Sequence, residues 1–390
     1  MIRLLADENI QGLDLLAPFD VQVQTVPGRE LRREDLTAVD ALWVRSVTRV
    51  DETLLHGSGL RFVGTATAGT EHIDVDYLKA AKVAFAAAPG ANANAVVEYV
   101  IAALLDLQVP WHALEEGGSF GIIGYGHVGQ RLATLAPAMG WSVRVSDPWL
   151  DVVTRDHSAH AKLEFCRLEE VLQCDVVSFH CDLHQRAPWP SYHLIGPREL
   201  AGLRAGQYLI NASRGEVIDN QALLEHLAHP LGANFVLDVW ENEPDFDARL
   251  LRSSRLRTAT PHIAGYSHDA KLAATRLLIE AMQEVGLLTQ HTNAEPENSI
   301  SSSVNRLEPV SDDSAFAWAQ ALMRHSYDIQ IDDKAMRSIA EQSQPGTAFD
   351  QLRKNYRQRR ELRGQRFTTP VITEALQRVA DAFGVQISGQ

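Results

Sequence analysis

The chain has 390 residues, 45% of them hydrophobic, and a formal net charge of -14 at pH 7. That length implies two or three domains with ordinary cores, and the acidic balance argues against nucleic acid or an anionic membrane as the main partner. No apolar run approaches bilayer-spanning length, Asp7 and Glu8 stand where a leader would stay apolar, and Cys166, Cys174 and Cys181 match no disulfide framework or metal site, so a cytoplasmic protein without a metal is expected.

Short apolar runs at Ile2 to Ala6, Val21 to Thr25, Ala41 to Val44, Phe62 to Gly64 and Val83 to Ala86 alternate with helical stretches. They predict a small parallel α/β domain over residues 1 to 92. Two of the runs end in Arg45-Ser46-Val47-Thr48 and Thr65-Ala66-Thr67-Ala68-Gly69-Thr70. Ligands gather beyond the carboxyl ends of strands in such sheets, and these hydroxyls suit an anion; ordinary turn chemistry accounts for the same residues equally well.

Pro89-Gly90 breaks the chain, and Asn92 or Asn94 can cap a helix from Ala95 to about Leu107, read as the crossover into a second domain over 93 to 267. That domain opens on Phe120-Gly121-Ile122-Ile123-Gly124-Tyr125-Gly126-His127-Val128-Gly129, followed by a helical stretch to Met139 and an apolar run from Trp141 to Ser146 closed by Asp147. The pattern is strand, glycine turn, helix, strand, acid. In the G-x-G-x-x-G turn, Gly124 makes the bend, Gly126 admits a pyrophosphate, and Gly129 lets helix pack on strand. The helix N-terminus near Val128 favours the anion. Asp147 stands where a carboxylate meets the ribose 2'-hydroxyl of NAD.

Further apolar runs at Val176 to His180, Gln207 to Asn211, Ala233 to Leu237 and Arg257 to Ala259 make this domain doubly wound. A helical pattern from Asp269 to about Leu288 is expected to return to the first domain, and Gln290 to Ser303 reads as a linker. In the tail, residues 291 to 390, helices are expected around Ala315 to Met323 and Ala348 to Arg360. Phe316, Trp318, Leu322, Met323, Tyr327, Ile329 and Phe349 suit a small core with a face left for a second copy of the chain. The basic segment Arg353, Lys354, Arg357, Arg359, Arg360, Arg363 and Arg366 reads either as a solvated face or as positive potential for a substrate anion, within one chain or across a dimer interface.

Three loops after strands of the second domain carry the chemistry: Asn211-Ala212-Ser213-Arg214-Gly215, Glu241-Asn242-Glu243-Pro244 and Thr260-Pro261-His262-Ile263-Ala264-Gly265. Oxidising a 2-hydroxy acid with NAD requires a base for the hydroxyl proton and a fixed cation for the carboxylate. His262 suits the first task and Arg214 the second, since a guanidinium matches a carboxylate with two parallel bonds. Glu243 would hold the imidazole and favour its charged form.

These motifs, with Leu237-Asp238-Val239-Trp240 and Pro261-His262-Ile263-Ala264-Gly265-Tyr266, resemble the signatures of the D-2-hydroxyacid dehydrogenases. Val44 to Thr48, Gly64 to Thr70, Val217-Ile218-Asp219-Asn220 and Phe349 to Tyr356 resemble the branch of that family acting on 4-phospho-D-erythronate. The resemblance covers nearly the whole chain, and the tail is its most discriminating part. It implies a Rossmann NAD domain, a flavodoxin-like substrate domain and a smaller C-terminal α+β dimerisation domain. It further implies catalytic roles for Arg214, Glu243 and His262, and substrate contacts from Ser46, Thr67 and Tyr266. Cofactor contacts would come from Gly124, Gly126, His127, Val128, Gly129, Asp147, Cys181, Ser213, Asp238 and Gly265. Ala91 stands where the family usually has Cys, and His180-Cys181-Asp182 where it has Thr-Pro. The residues by themselves leave open 3-phosphoglycerate or an unphosphorylated 2-hydroxy acid as substrate, and a non-catalytic NAD-sensing protein.

Overall fold

The computed structural model describes residues 1–150, 163–289, 304–310 and 312–389; the linker expected from Gln290 to Ser303 lies outside them. The chain divides into two compact units, Met1–Asn92 with Ser267–Ser299, and Ala93–Tyr266 with Ile300–Gln390.

In the first unit, β1 (Ile2–Asp7), β2 (Val21–Val26), β3 (Ala41–Val44), β4 (Phe62–Thr65) and β5 (Ala84–Ala86) form a parallel sheet in the order β2-β1-β3-β4-β5. That is the flavodoxin-like order. The fully buried β3 and β4 read as continuous apolar runs, as central parallel strands do. The helix His268–Glu284 supplies Leu278, Ile279 and Met282 to one core with Leu4, Trp43 and Phe62. Paired strands Val44 and Thr65 end side by side, so the loops carrying Ser46 and Thr67 leave the sheet together.

The second unit carries a seven-stranded parallel sheet of β6 (Ser119–Ile123), β7 (Ser142–Ser146), β8 (Leu163–Phe165), β9 (Val176–Phe179), β10 (Tyr208–Asn211), β11 (Asn234–Leu237) and β12 (Leu256–Ala259). Its order is β12-β11-β10-β9-β6-β7-β8, with the winding reversing between β6 and β9. Dinucleotides bind at such a switch point. The helix after the glycine turn runs only His127–Leu135, and Pro137 takes the rest into a 3-10 turn to Met139. A proline lacks the N–H the helix would need there.

The C-terminal segment contributes a three-stranded parallel sheet, β13 (Val304–Arg306), β14 (Arg366–Thr369) and β15 (Gln386–Gly389), with helices Ala315–Met323, Ile329–Ser338, Pro345–Lys354 and Glu374–Phe383. Trp318, Leu322, Phe367, Leu376, Val379 and Phe383 share a core with Val100, Trp111, Phe120 and Trp141 of the NAD-binding part. Of the apolar side chains expected to form a small core, Trp318, Leu322, Met323, Tyr327, Ile329 and Phe349 are buried inside this chain, and Phe316 packs edge-on to Trp111. Among the described residues of the segment, Val304, Ile331, Val371 and Ile372 are large apolar side chains left exposed.

The segment also protects the edge strand β12. Asp333 accepts the Ala259 amide at 2.8 Å, and Arg337 donates to the carbonyls of Leu251 and Leu256. An unpaired strand edge is otherwise a template for association. Expected to reach Arg360, the helix ends at Lys354, because Arg357 turns away to Asp332 and Arg359 goes inside to the Ala95 carbonyl. Among the described residues no single helix is long and apolar enough to cross a membrane.

Candidate active site

The glycine turn is held by its neighbours. Gly124 has φ 92°, and a Cβ there would stand 2.5 Å from the Cys181 backbone nitrogen; at Gly129 a Cβ would stand 2.1 Å from the Gly124 carbonyl. Neither position tolerates a side chain. Gly126 has open space where its Cβ would be, ahead of the first helical turn at His127 and Val128. A pyrophosphate fits that cradle of free amides. Asp147 accepts the Tyr125 amide at 2.8 Å and the Trp149 amide at 3.1 Å, which orients its carboxylate at the end of β7. The residues present therefore fit a dinucleotide. Burial and the adjacent Asp182 push the Cys181 thiol up to about 12, so this sulfur offers no thiolate and meets the turn through its backbone.

The loop after β10 is stitched by one side chain. Asn211 accepts both the Ser213 amide and hydroxyl and donates to the Arg214 carbonyl, while Arg214 Nη1 donates to the Ser213 carbonyl at 2.8 Å. A Cβ on Gly215 would stand 2.0 Å from the Trp240 carbonyl carbon. Only glycine lets the Arg214 loop lie directly on the loop after β11. The Arg-Gly pair was visible in the sequence; the contact that requires it was not.

On that second loop Glu243 faces the third. His262 Nδ1 donates to Glu243 Oε2 at 2.6 Å, and Glu243 Oε1 accepts the Trp240 amide at 2.9 Å. Burial would raise the Glu243 carboxyl, but His262 and, further off, Arg353 hold it below the usual carboxylate range. The pair thus keeps an anion on Nδ1 and leaves Nε2 for a substrate. Asn242 (φ 63°) and His262 (φ 56°) both adopt the left-handed region, a conformation concentrated at functional loops in non-glycine residues.

Asp238 anchors the His262 loop from beneath. It is 1% exposed, and its oxygens accept the Thr260 hydroxyl and the Ile263 and Ala264 amides, with Tyr99 bonded in turn to Thr260. Its described partners belong to the protein itself. Gly265 and Tyr266 complete this loop. In the first unit, Ser46 is exposed, and Thr67 bonds Thr65 and the Gly69 carbonyl.

The C-terminal helix Pro345–Lys354 docks on the Glu243 loop along one stripe. A Cβ on Gly346 would stand 2.3 Å from Asp245 Oδ1, Phe349 packs at 5.5 Å on Phe246, and Arg353 Nη2 donates to the Tyr266 hydroxyl at 3.1 Å. Positions 346, 349 and 353 follow helical spacing and share one face. The basic residues form one run in sequence, and the structure separates them: Arg353 meets Tyr266, Arg357 meets Asp332 and Arg359 meets the Ala95 carbonyl.

Residues 110–264 match the family model of the D-isomer specific 2-hydroxyacid dehydrogenase NAD binding domain, and residues 305–381 match a domain of unknown function. Among similar proteins, erythronate-4-phosphate dehydrogenase of Cellvibrio japonicus (strain Ueda107) is 41% identical over 92% of this chain and 93% of its own. The enzyme of that name from Pseudomonas aeruginosa (strain PAO1) is 40% identical over 99% of this chain and 100% of its own. In solved structures, D-lactate dehydrogenase from Aquifex aeolicus, complexed with NAD and lactic acid, superposes with a TM-score of 0.60 at 21% identity, covering 73% of this chain and 96% of its own. A glyoxylate reductase from Paecilomyes thermophila gives a TM-score of 0.59 at 25% identity, covering 74% of this chain and 97% of its own. The fold, the cofactor turn and an identity that runs through the C-terminal segment lead to one conclusion: the chain belongs to the erythronate-4-phosphate dehydrogenase family, within the NAD-dependent D-2-hydroxyacid dehydrogenases.

Proposed function

We propose that this chain oxidises 4-phospho-D-erythronate with NAD to (R)-3-hydroxy-2-oxo-4-phosphooxybutanoate, a step of pyridoxal 5'-phosphate biosynthesis. The observation that carries the reading is identity of 40% over 99% of the chain to a relative of that name, C-terminal segment included. NAD, when bound, supplies the hydride acceptor. Gly124, Gly126, His127, Val128 and Gly129 would hold its pyrophosphate and Asp147 its ribose, with Cys181, Ser213, Asp238 and Gly265 towards the remainder.

His262 Nε2 takes the C2 hydroxyl proton as the C2 hydrogen leaves with its electron pair, and the C2–O bond becomes a carbonyl. Glu243 keeps Nδ1 protonated, fixes the ring, and stabilises the imidazolium that forms. Arg214 holds the substrate carboxylate beside it. Ser46, Thr67 and Tyr266 are the further substrate contacts of this reading. NADH formation with a panel of 4-phospho-D-erythronate, 3-phosphoglycerate and unphosphorylated 2-hydroxy acids tests it. The phosphorylated four-carbon acid should give the highest kcat/KM, and a higher value for any other member would displace it.

The exposed Val304, Val371 and Ile372 of the C-terminal segment support a homodimer through that segment. Light scattering should return twice the chain mass for wild type and a lower mass when Val371 and Ile372 are replaced by Asp; an unchanged mass places the interface elsewhere. Three free cysteines are in keeping with a reducing, cytoplasmic setting.

A further inference from the structure

The cations of the basic segment have different fates. Arg357 pairs with the buried Asp332 and donates to the Asp328 carbonyl. Arg359, 3% exposed, donates to the Ala95 carbonyl and lies 4.2 Å over the Tyr327 ring. Both serve the fold. Arg353 differs in place: its guanidinium lies over the Tyr266 and Phe349 rings and its Nη2 donates to the Tyr266 hydroxyl at the end of the His262 loop, while a buried Nε without a hydrogen-bond partner is a feature it shares with Arg359. Among the described residues no carboxylate lies within ion-pair distance of it. Glu243 is within electrostatic reach, but its oxygens are committed to His262 and the Trp240 amide. A largely buried guanidinium beside the His262 loop with no ion-pair partner is stabilised when an anion binds there.

Substrate chemistry identifies the anion. The lactate dehydrogenase that superposes on this chain matches 96% of its own length while leaving about a quarter of this one, the size of the segment beyond residue 290, without a counterpart. Its bound lactic acid has a carboxylate and no phosphate, so a 2-hydroxy carboxylate is held in that fold without such a helix. The helix Pro345–Lys354 then answers to what the substrate has in addition.

We propose that Arg353 is the recognition residue for the 4-phosphate, delivered to the reaction centre by the docking of Gly346 and Phe349 on the Glu243 loop, and that this is a function of the C-terminal domain. The proposal rests on the substrate reading given above. The Nη1 side of the guanidinium, which is not among the buried atoms, and the neighbouring Tyr266 hydroxyl supply donors to phosphate oxygens. The contact is made within one chain and needs no second copy.

Calorimetric titration of the enzyme–NADH complex tests it without turnover, using 4-phospho-D-erythronate and D-erythronate on wild type, Arg353→Met and Arg353→Lys. The Kd for the phosphorylated acid should rise about 10²-fold in the Met variant and about 10-fold in the Lys variant, which keeps the charge and the packing stem, while the Kd for D-erythronate moves less than about threefold. Equal losses for both ligands would make Arg353 a positioning residue for Tyr266 and overturn the proposal, as would no loss for either. Thermal unfolding of each variant separates loss of fold from loss of contact, and the Lys variant decides if the Met variant does not fold. A wild-type enzyme that binds the phosphorylated acid and the cofactor without turnover would defeat the function reading and leave the Arg353 assignment standing.

Discussion

The NAD-binding sheet and the C-terminal segment position their parts of the proposed site by opposite routes. In the sheet, Arg214, Glu243 and His262 leave the carboxyl ends of the adjacent parallel strands β10, β11 and β12, so strand order alone brings them together, and Asp147 stands at the same edge of the sheet after β7. In the C-terminal segment, position comes from docking: Gly346 on Asp245 and Phe349 on Phe246 set where Arg353 lies. A parallel sheet converts sequence motifs into a site almost automatically; a docked helix does so only through side-chain fit. The difference separates generic chemistry, carried by the sheet, from the substrate's distinguishing group, assigned to the helix.

The sheet side breaks most completely at His262. His262→Ala should lower turnover by about 10² to 10⁴ while NADH affinity stays near wild type. Near-normal turnover at saturating substrate would send the search to another base. The closeness of two sheet loops is tested next: Gly215→Ala places a methyl against the Trp240 backbone and separates Arg214 from Glu243. A loss of about 10² in kcat/KM with NADH binding retained is expected, since small misplacements of reacting groups have effects of that size. An unchanged kcat/KM would show that the loops need not touch.

The junction between the two regions has its own titrating group. Glu98, 2% exposed, accepts the Ser326 hydroxyl and the Leu362 amide, and burial raises its pKa to about 7 against the opposing pull of Arg359. A carboxyl raised in the folded state contributes stability that is present below its unfolded pKa near 4.5 and is lost as pH rises through about 7. From this group wild type should lose roughly 3 kcal/mol between pH about 4.5 and about 8, and Glu98→Gln should lose less. Urea midpoints across that range give the answer; parallel curves for the two proteins would remove Glu98 as the cause. The smallest effect is expected at the cofactor end. Asp147→Ser should narrow the preference for NAD over NADP by about 10-fold, and a wild type that uses both equally would void the Asp147 assignment.

The parallel sheets, the glycine turn and the strand-end loops were legible because each has a local signature: buried apolar runs, a turn requiring missing side chains, polar residues directly after strands. The C-terminal region was legible only in part: the helix Ala315–Met323 stands where its apolar spacing placed it, whereas the basic segment did not show its division. Arg353 to Arg366 reads as one charged face when only charge is visible, yet Asp332, Tyr266 and the Ala95 carbonyl, all distant in sequence, divide it. The helix was carried six residues too far, from Lys354 to Arg360, because arginines favour helices and tertiary pairing overrode that preference. The helix Glu374–Phe383 went unread although Leu376, Val379, Ala380 and Phe383 keep helical spacing. A signal for Arg353 did exist: Gly346, Phe349 and Arg353 lie on one stripe, and a glycine within a helix invites the question of what approaches it.

The central claim is that the C2 hydrogen of 4-phospho-D-erythronate leaves as hydride while His262 takes the hydroxyl proton. The most direct test is mass spectrometry of the NADH formed from substrate deuterated at C2. The account predicts NADH one mass unit heavier, a slower rate than with unlabelled substrate when hydride transfer limits, and almost no label transfer by His262→Ala. Unlabelled NADH, or labelled NADH formed at an undiminished rate by His262→Ala, would contradict it.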